Sequence, residues 1–335
     1  MKRYPQIYTE LPSTKKQLAV YSMTMADEFI LKTPDALMNG HATVDIIKNC
    51  CPEIQNGWLI QLTDLNTILS AIRIASGNAK IDISIKCPHC KKSETYDLDL
   101  QQYTANLNAG QNTWDSPIEV NSQVSINLIP PCYKVLNDWA IAEFKIGKQL
   151  QQVQHLEDEN LKLTYTSQLV EKFNILQKEK LLSSINEIYT REPHMVVNDR
   201  SDIIEYINCI DISEYNKLMD EYKNKIKACQ LPNIQIKCAN EECAKDLDVP
   251  FELDFCNVFR NQILHSDNDQ IKRTVDKMEK DSRLLSAELI KLMWYMRGSI
   301  TYEDAMNLTT AEKKIVTDLI KENLETTKKT HMPFF

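Results

Sequence analysis

Residues 86–92, KCPHCKK, admit two incompatible readings, and the choice between them decides the fold. A Cys-x-x-Cys pair opening a helix is the arrangement of thiol oxidants, where the helix end lowers the pKa of the first thiol. The same spacing is also half of a tetrahedral zinc site. The flanking residues separate the two. Upstream, KIDISIK at 80–86 alternates with period two and runs straight into Cys87. Downstream, KKSETYDLDL at 91–100 puts Tyr96, Leu98 and Leu100 on one side and Asp97 and Asp99 on the other, the pattern of a half-buried strand. The long helix that a redox pair needs is missing, so the unit reads strand, cysteine pair, strand.

The unit occurs twice. IQIKCANEEC at 234–243 repeats the Ile-x-Ile-Lys-Cys of ISIKCPHC at 83–90, and DLDVPFELDF at 246–255 follows with Leu247, Val249, Phe251, Leu253 and Phe255 on one face. Counted from the last cysteine of each pair, Tyr96, Leu98 and Leu100 match Val249, Phe251 and Leu253. Four residues separate Cys238 from Cys243, which a redox pair does not tolerate and a zinc knuckle does. Cys87, Cys90, Cys238 and Cys243 are therefore expected to hold one structural Zn2+ in a closed four-sulfur shell, with redox chemistry and unliganded thiols as the competing readings. His89 inside the first knuckle is either a substitute ligand or an exposed bystander. Lys86, Lys91, Lys92, Lys237 and Lys245 flank the pairs, and their charge favours thiolates and offsets the net −2 expected of a zinc tetrathiolate. Cys50, Cys51, Cys132, Cys209, Cys229 and Cys256 have no ligand spacing and read as small buried apolar residues.

Between Cys90 and Cys238 lie 147 residues, so whatever fills the gap must leave and return close by. PIEVNSQVSINLIPP at 117–131 reads as one or two strands stopped by Pro130 and Pro131, after a polar, turn-rich stretch at 101–116. From about 133 to 229 the pattern is helical, including TSQLVEKFNILQKEKLLSSINEIY, and forms a large insertion whose helices pack on each other. N-terminal to the first knuckle, QLAVYSM at 17–23 reads as a strand and two helical patterns follow near 25–38 and 42–51. Thr63 is placed to cap a helix that carries Leu65, Ile68, Leu69, Ile72 and Ala75 on one face and stops at Gly77.

Beyond the second knuckle a long amphipathic helix is expected around 270–297, lined by Ile271, Val275, Met278, Leu285, Leu289, Leu292 and Met296, with a candidate break near 281. A short helix follows at Thr301, and a capping box of Thr309 and Glu312 opens a last helix whose buried face is Ile315, Val316, Leu319, Ile320 and Leu324. The chain closes on THMPFF, where Phe334 and Phe335 serve either docking onto the chain itself or a partner. These readings divide the chain into 1–115, an N-terminal α/β region with the first knuckle; 116–230, strand then helical insertion; 231–267, the second knuckle and its strand; and 268–335, a helical module. The fold class is α+β, small antiparallel zinc-ribbon sheets with a large helical insertion and a helical C-terminal module.

With 39 basic against 47 acidic residues, a net charge of −8 and no long Lys/Arg run, nucleic acid and anionic membrane are disfavoured as partners. The N-terminus has no apolar leader and no window is apolar enough to span a bilayer, so the expectation is a cytosolic protein. Dinucleotide and phosphate loops, H-E-x-x-H and G-x-S-x-G are all absent from the sequence, and no enzyme is expected.

The ELPSTKK opening, the Thr63 helix leading into IKCPHCKK, the returning cysteine pair and above all WYMRGSITYEDAMNLTTAEKKIVTDLIKENLETTKK together resemble the baseplate hub and tail-assembly proteins of T-even-like contractile-tailed phages. The resemblance is strongest over residues 8–100 and 231–335, and the helical middle carries little of it. It implies a non-enzymatic late viral protein acting in baseplate hub assembly, as structural component or assembly factor. Its partners would be other tail or baseplate hub proteins, the tape measure among them, and its place the virion tail baseplate or the host cytoplasm during assembly. A tape-measure chaperone absent from the mature virion is the alternative within that setting. A zinc-ribbon regulator of nucleic acid or polymerase is the alternative from another class, disfavoured because Asp97, Asp99, Glu252 and Asp254 read as exposed acidic positions beside the knuckles.

Overall fold

The computed structural model describes residues 3–104 and 113–330. It is a mainly helical α+β protein in which every paired strand is antiparallel. The chain opens with the hairpin β1 (Ile7–Glu10) and β2 (Gln17–Val20), then α1 (Met25–Ile30), α2 (Pro34–Asn39) and α3 (His41–Cys50). A 3-10 turn at Gly57–Leu59 leads into α4 (Leu62–Ala75). Gln61, not Thr63, is the residue before that helix. The start is set from outside, because Leu62 N–H donates to the Pro131 carbonyl at 2.9 Å and Tyr133 N–H donates to the Ile60 carbonyl at 2.7 Å. Gly77 ends the helix as expected, at φ +82°.

The first cysteine hairpin follows as β3 (Lys80–Lys86) and β4 (Ser93–Asp99), and α5 (Leu100–Thr104) continues from its last residue. β5 (Ile118–Glu119) and β6 (Val124–Leu128) precede the two long helices α6 (Tyr133–Gln154) and α7 (Glu159–Ser184). The helical reading of 133–229 fails after Ser184, where β7 (Ile185–Thr190) and β8 (Met195–Val197) complete a four-stranded sheet in the order β5-β6-β7-β8. The misreading has a structural cause. Leu128 pairs with Ile185 and Asn127 with Glu187, so Asn186 is a bulge, and the buried Ile185 and Ile188 acquire a helix-like spacing of three. α8 (Arg200–Cys209) and α9 (Ile212–Cys229) close this region. The sheet has its own core of Trp114, Ile126, Leu128, Leu181, Ile188, Ile207 and Leu218.

The chain then returns to the N-terminal region as β9 (Ile234–Lys237), β10 (Asp246–Val249) and α10 (Phe255–Leu264). Its largest core joins residues from both ends of the excursion: Val20, Ile47, Ile68 and Ile72 pack with Tyr133, Leu231 and Leu253. α11 (Asn268–Tyr295) runs through Asp281 without a break, since no Gly or Pro interrupts it and its buried Leu285, Leu289 and Leu292 stay on one face. α12 (Tyr302–Met306) starts after Thr301, which forms a capping box with Asp304, and α13 (Thr310–Thr330) carries the expected cap at Thr309. Met25 of α1 packs with Leu289 and Ala305, which fastens this module to the N-terminal region. On α13 only Ile320 is fully buried; Val316 and Leu324 are half-buried, whereas Ile315 and Leu319, expected on the inner face, are exposed. Phe334 and Phe335 lie outside the described residues. No described helix is long and apolar enough to cross a membrane.

Candidate metal centre

Both cysteine turns are built on the same plan. In β3–β4 the register runs from Lys80 opposite Asp99 to Lys86 opposite Ser93, and the turn is closed by Cys87 N–H donating to the Lys92 carbonyl at 2.9 Å. In β9–β10 the register runs from Ile234 opposite Val249 to Lys237 opposite Asp246, and Cys238 N–H donates to the Lys245 carbonyl at 2.9 Å. The residue after the second cysteine of each pair turns left-handed, Lys91 at φ +63° and Ala244 at φ +41°. The wider second knuckle absorbs its two extra residues at Asn240, whose carbonyl accepts from both Cys243 N–H and Ala244 N–H at 2.9 Å.

The correspondence between the copies extends into the packing. Tyr96 and Val249 both pack beside the cysteines, and the next outgoing residues on that face, Leu98 and Leu100 in one copy and Phe251 and Leu253 in the other, enter the main core. Two ties cross between the hairpins: Ala239 N–H donates to the Tyr96 hydroxyl at 3.1 Å, and Lys92 Nζ donates to Asn240 Oδ1 at 3.2 Å.

These contacts bring Cys87, Cys90, Cys238 and Cys243 together, with all four sulfurs within 4.8 Å of one another, and among the described residues this is the one cluster able to hold a metal ion. Cys87 Sγ lies 3.9 Å from Cys243 Sγ, and Cys90 Sγ 3.6 Å from Cys238 Sγ. A regular tetrahedron with metal–sulfur bonds of about 2.3 Å has sulfurs about 3.8 Å apart, whereas a disulfide needs about 2.05 Å. These two pairs therefore have the spacing of a tetrathiolate shell and not of a disulfide.

Cys87 and Cys238 are buried, and Cys90 and Cys243 half-buried. The Cys90 amide hydrogen bond holds the Cys87 thiol down at about 7. Cys238 is pushed up to about 12: the Asn240 amide pulls it down, but burial and the neighbouring thiols outweigh that pull. Four thiolates this close need a cation among them, and the Lys91, Lys92, Lys237 and Lys245 side chains around the site are all exposed. His89 is exposed and stands outside the sulfur cluster. Of the remaining cysteines Cys50, Cys51 and Cys256 are buried as expected, Cys132 and Cys229 are half-buried, and Cys209 is exposed.

A buried polar cluster behind the second hairpin was not legible as such. Asp254 is 1% exposed, contrary to its reading as a surface acid; Asp97 is exposed, and Asp99 and Glu252 are half-buried. The Asp254 carboxylate accepts from the Thr43 hydroxyl, from the Tyr133 hydroxyl at 3.2 Å and from Cys256 N–H at 3.2 Å. Burial pushes its pKa up, opposed by those donors and by Arg260. Arg260 in turn donates to the Met38 carbonyl at 3.0 Å and to Asn137 Oδ1 at 2.9 Å, and Asn137 donates to the Asn39 carbonyl at 2.9 Å. The cluster thus clamps the start of α6 to the returning chain and to the α2–α3 turn. Its sequence signal was the N-cap position of Asp254 before FCNVF.

No curated protein and no solved structure matches the chain. A family model does, described as T4 bacteriophage base plate protein, and it matches residues 4–260. The match runs through the helical middle region and takes in both cysteine hairpins; it stops inside α10, before the module of α11–α13. Covering more than half of the chain, this match makes the protein a member of the T4 bacteriophage base plate protein family.

Proposed function

We propose that this chain is a non-enzymatic protein of baseplate hub assembly, either a structural component or an assembly factor, and that Cys87, Cys90, Cys238 and Cys243 bind one structural Zn2+. The observation that carries the functional reading is the family match over residues 4–260, which supports a structural or assembly role in the phage baseplate with other tail or baseplate proteins as partners. The tape measure is among the partners proposed.

The zinc reading is supported by an all-sulfur donor set, the 3.6 and 3.9 Å spacing of the two sulfur pairs and the burial of Cys87 and Cys238. A bound zinc would supply a cross-link between two hairpins distant in sequence, with no open position for chemistry. Its work would be to hold the outgoing strands so that Leu98, Leu100, Phe251 and Leu253 reach one core.

Infection by a phage lacking this chain tests the functional reading. Heads and other tail parts are expected in electron micrographs of the lysate, without complete baseplates or tails. Normal tails would overturn the reading. A mass-spectrometric inventory of purified wild-type particles then separates component from assembly factor.

A further inference from the structure

We propose that the groove between α11 and α13 docks an acidic amphipathic helix of another protein. The groove has a volume of about 570 Å³. Its floor is Leu292 and Ile320, which are buried where the two helices meet, and Leu324 and Tyr295 continue it outward. Tyr295 also borders a second hollow on α11 that contains Ile290 and Trp294. Trp294 is 80% exposed and Ile290 57% exposed.

Charge identifies the occupant. Four lysines line the groove, Lys291, Lys313, Lys314 and Lys321, against two acids, Glu288 and Asp318. Lys313 pairs with Glu288 and Lys321 with Asp318. Among the described residues no carboxylate lies within ion-pair reach of Lys291 or Lys314, one on each helix, so each wall of the groove presents an uncompensated cation in a chain of net charge −8. A helix laid between the walls meets apolar residues below and an ammonium on either flank. That arrangement selects an apolar stripe at helical spacing bordered by Asp or Glu. The groove lies beyond the family match, so the proposal concerns a surface particular to the α11–α13 module. It rests on the reading of this chain as a binding protein, and not on the metal.

The test places a photo-cross-linking amino acid at Thr317, which lines the groove, in the full-length chain expressed in infected cells, and maps the cross-linked peptide by mass spectrometry. The expected product joins this surface to an acidic amphipathic segment of a different protein. Charge reversal with Lys291→Glu and Lys314→Glu should lower the yield by about tenfold while leaving the melting temperature unchanged. A cross-link to a second copy, to a basic segment or to nothing, or a yield indifferent to charge reversal, would overturn the proposal. If the partner is acidic and helical but belongs to no phage tail, the groove stands and the baseplate reading falls.

Discussion

The sulfurs of Cys90 and Cys238 lie 3.6 Å apart although 148 positions separate them in the chain. Each cysteine lies in the turn of a two-stranded hairpin too small to be stable alone, and the second strand of each hairpin feeds the main core. The sulfur cluster is therefore where an excursion containing a whole second core is closed.

Losing one ligand should cost more than one side-chain contact. Cys87→Ser or Cys238→Ser is expected to abolish metal binding and destabilise the protein by on the order of several kcal/mol, because metal affinity is realised as folding free energy. Denaturant unfolding of the purified variants, compared with Cys209→Ser at an exposed and distant position, measures this. A Cys209→Ser loss equal to the other two would show that the cluster has no special role.

The clamp behind the second hairpin predicts sensitivity at Gly40. Its φ is +91°, and an added Cβ would sit 2.4 Å from Asn137 Oδ1, itself a partner of Arg260. Gly40→Ala should destabilise by about 1–3 kcal/mol, from backbone strain together with displacement of Asn137. Gly77 also has a positive φ but nothing within 4 Å of an added Cβ, so Gly77→Ala should cost less.

Glu252 gives a pH dependence of defined sign. Burial first, and the adjacent Asp254 second, raise its pKa above 4.5. The folded protein therefore holds this proton more tightly than the unfolded chain, and the contribution is favourable at low pH and lost as pH rises through the folded value. Glu252→Gln carries no charge to bury, so its stability relative to wild type should improve over the range in which pH rises above the ordinary glutamate value of 4.5. Melting temperatures across that range decide it, and a flat difference would contradict the burial.

The C-terminal module should be energetically coupled to the N-terminal region. Leu289 is fully buried against Met25 and Ala305, and Leu289→Ala should cost about 2–5 kcal/mol. Unfolding followed both by circular dichroism and by proteolysis near Met25 should shift together. A module that melts without affecting the Met25 segment would mean the contact is weak.

What could be read from the sequence was what is local. Both hairpins follow from period-two alternation and a duplicated Ile-x-Ile-Lys-Cys, and the cap at Thr309 follows from a glutamate three residues on. The Asp254 cluster could not be read this way, since its Thr43 and Tyr133 donors lie 211 and 121 positions away. β7 was hidden by a bulge that gave Ile185 and Ile188 a helical spacing, and the true start of α4 by hydrogen bonds to the distant Pro131–Tyr133 segment. Ile315 and Leu319 show the reverse case: apolar residues at helical spacing were assigned to the core and instead stand exposed beside Ile320.

The most direct test of the central claim is elemental analysis of the full-length protein purified without chelator, with the metal quantified per chain. The account predicts one zinc per chain, surrounded by sulfur alone in X-ray absorption. Protein that is folded and contains no metal, or a metal retained in Cys87→Ser and Cys238→Ser, would contradict it.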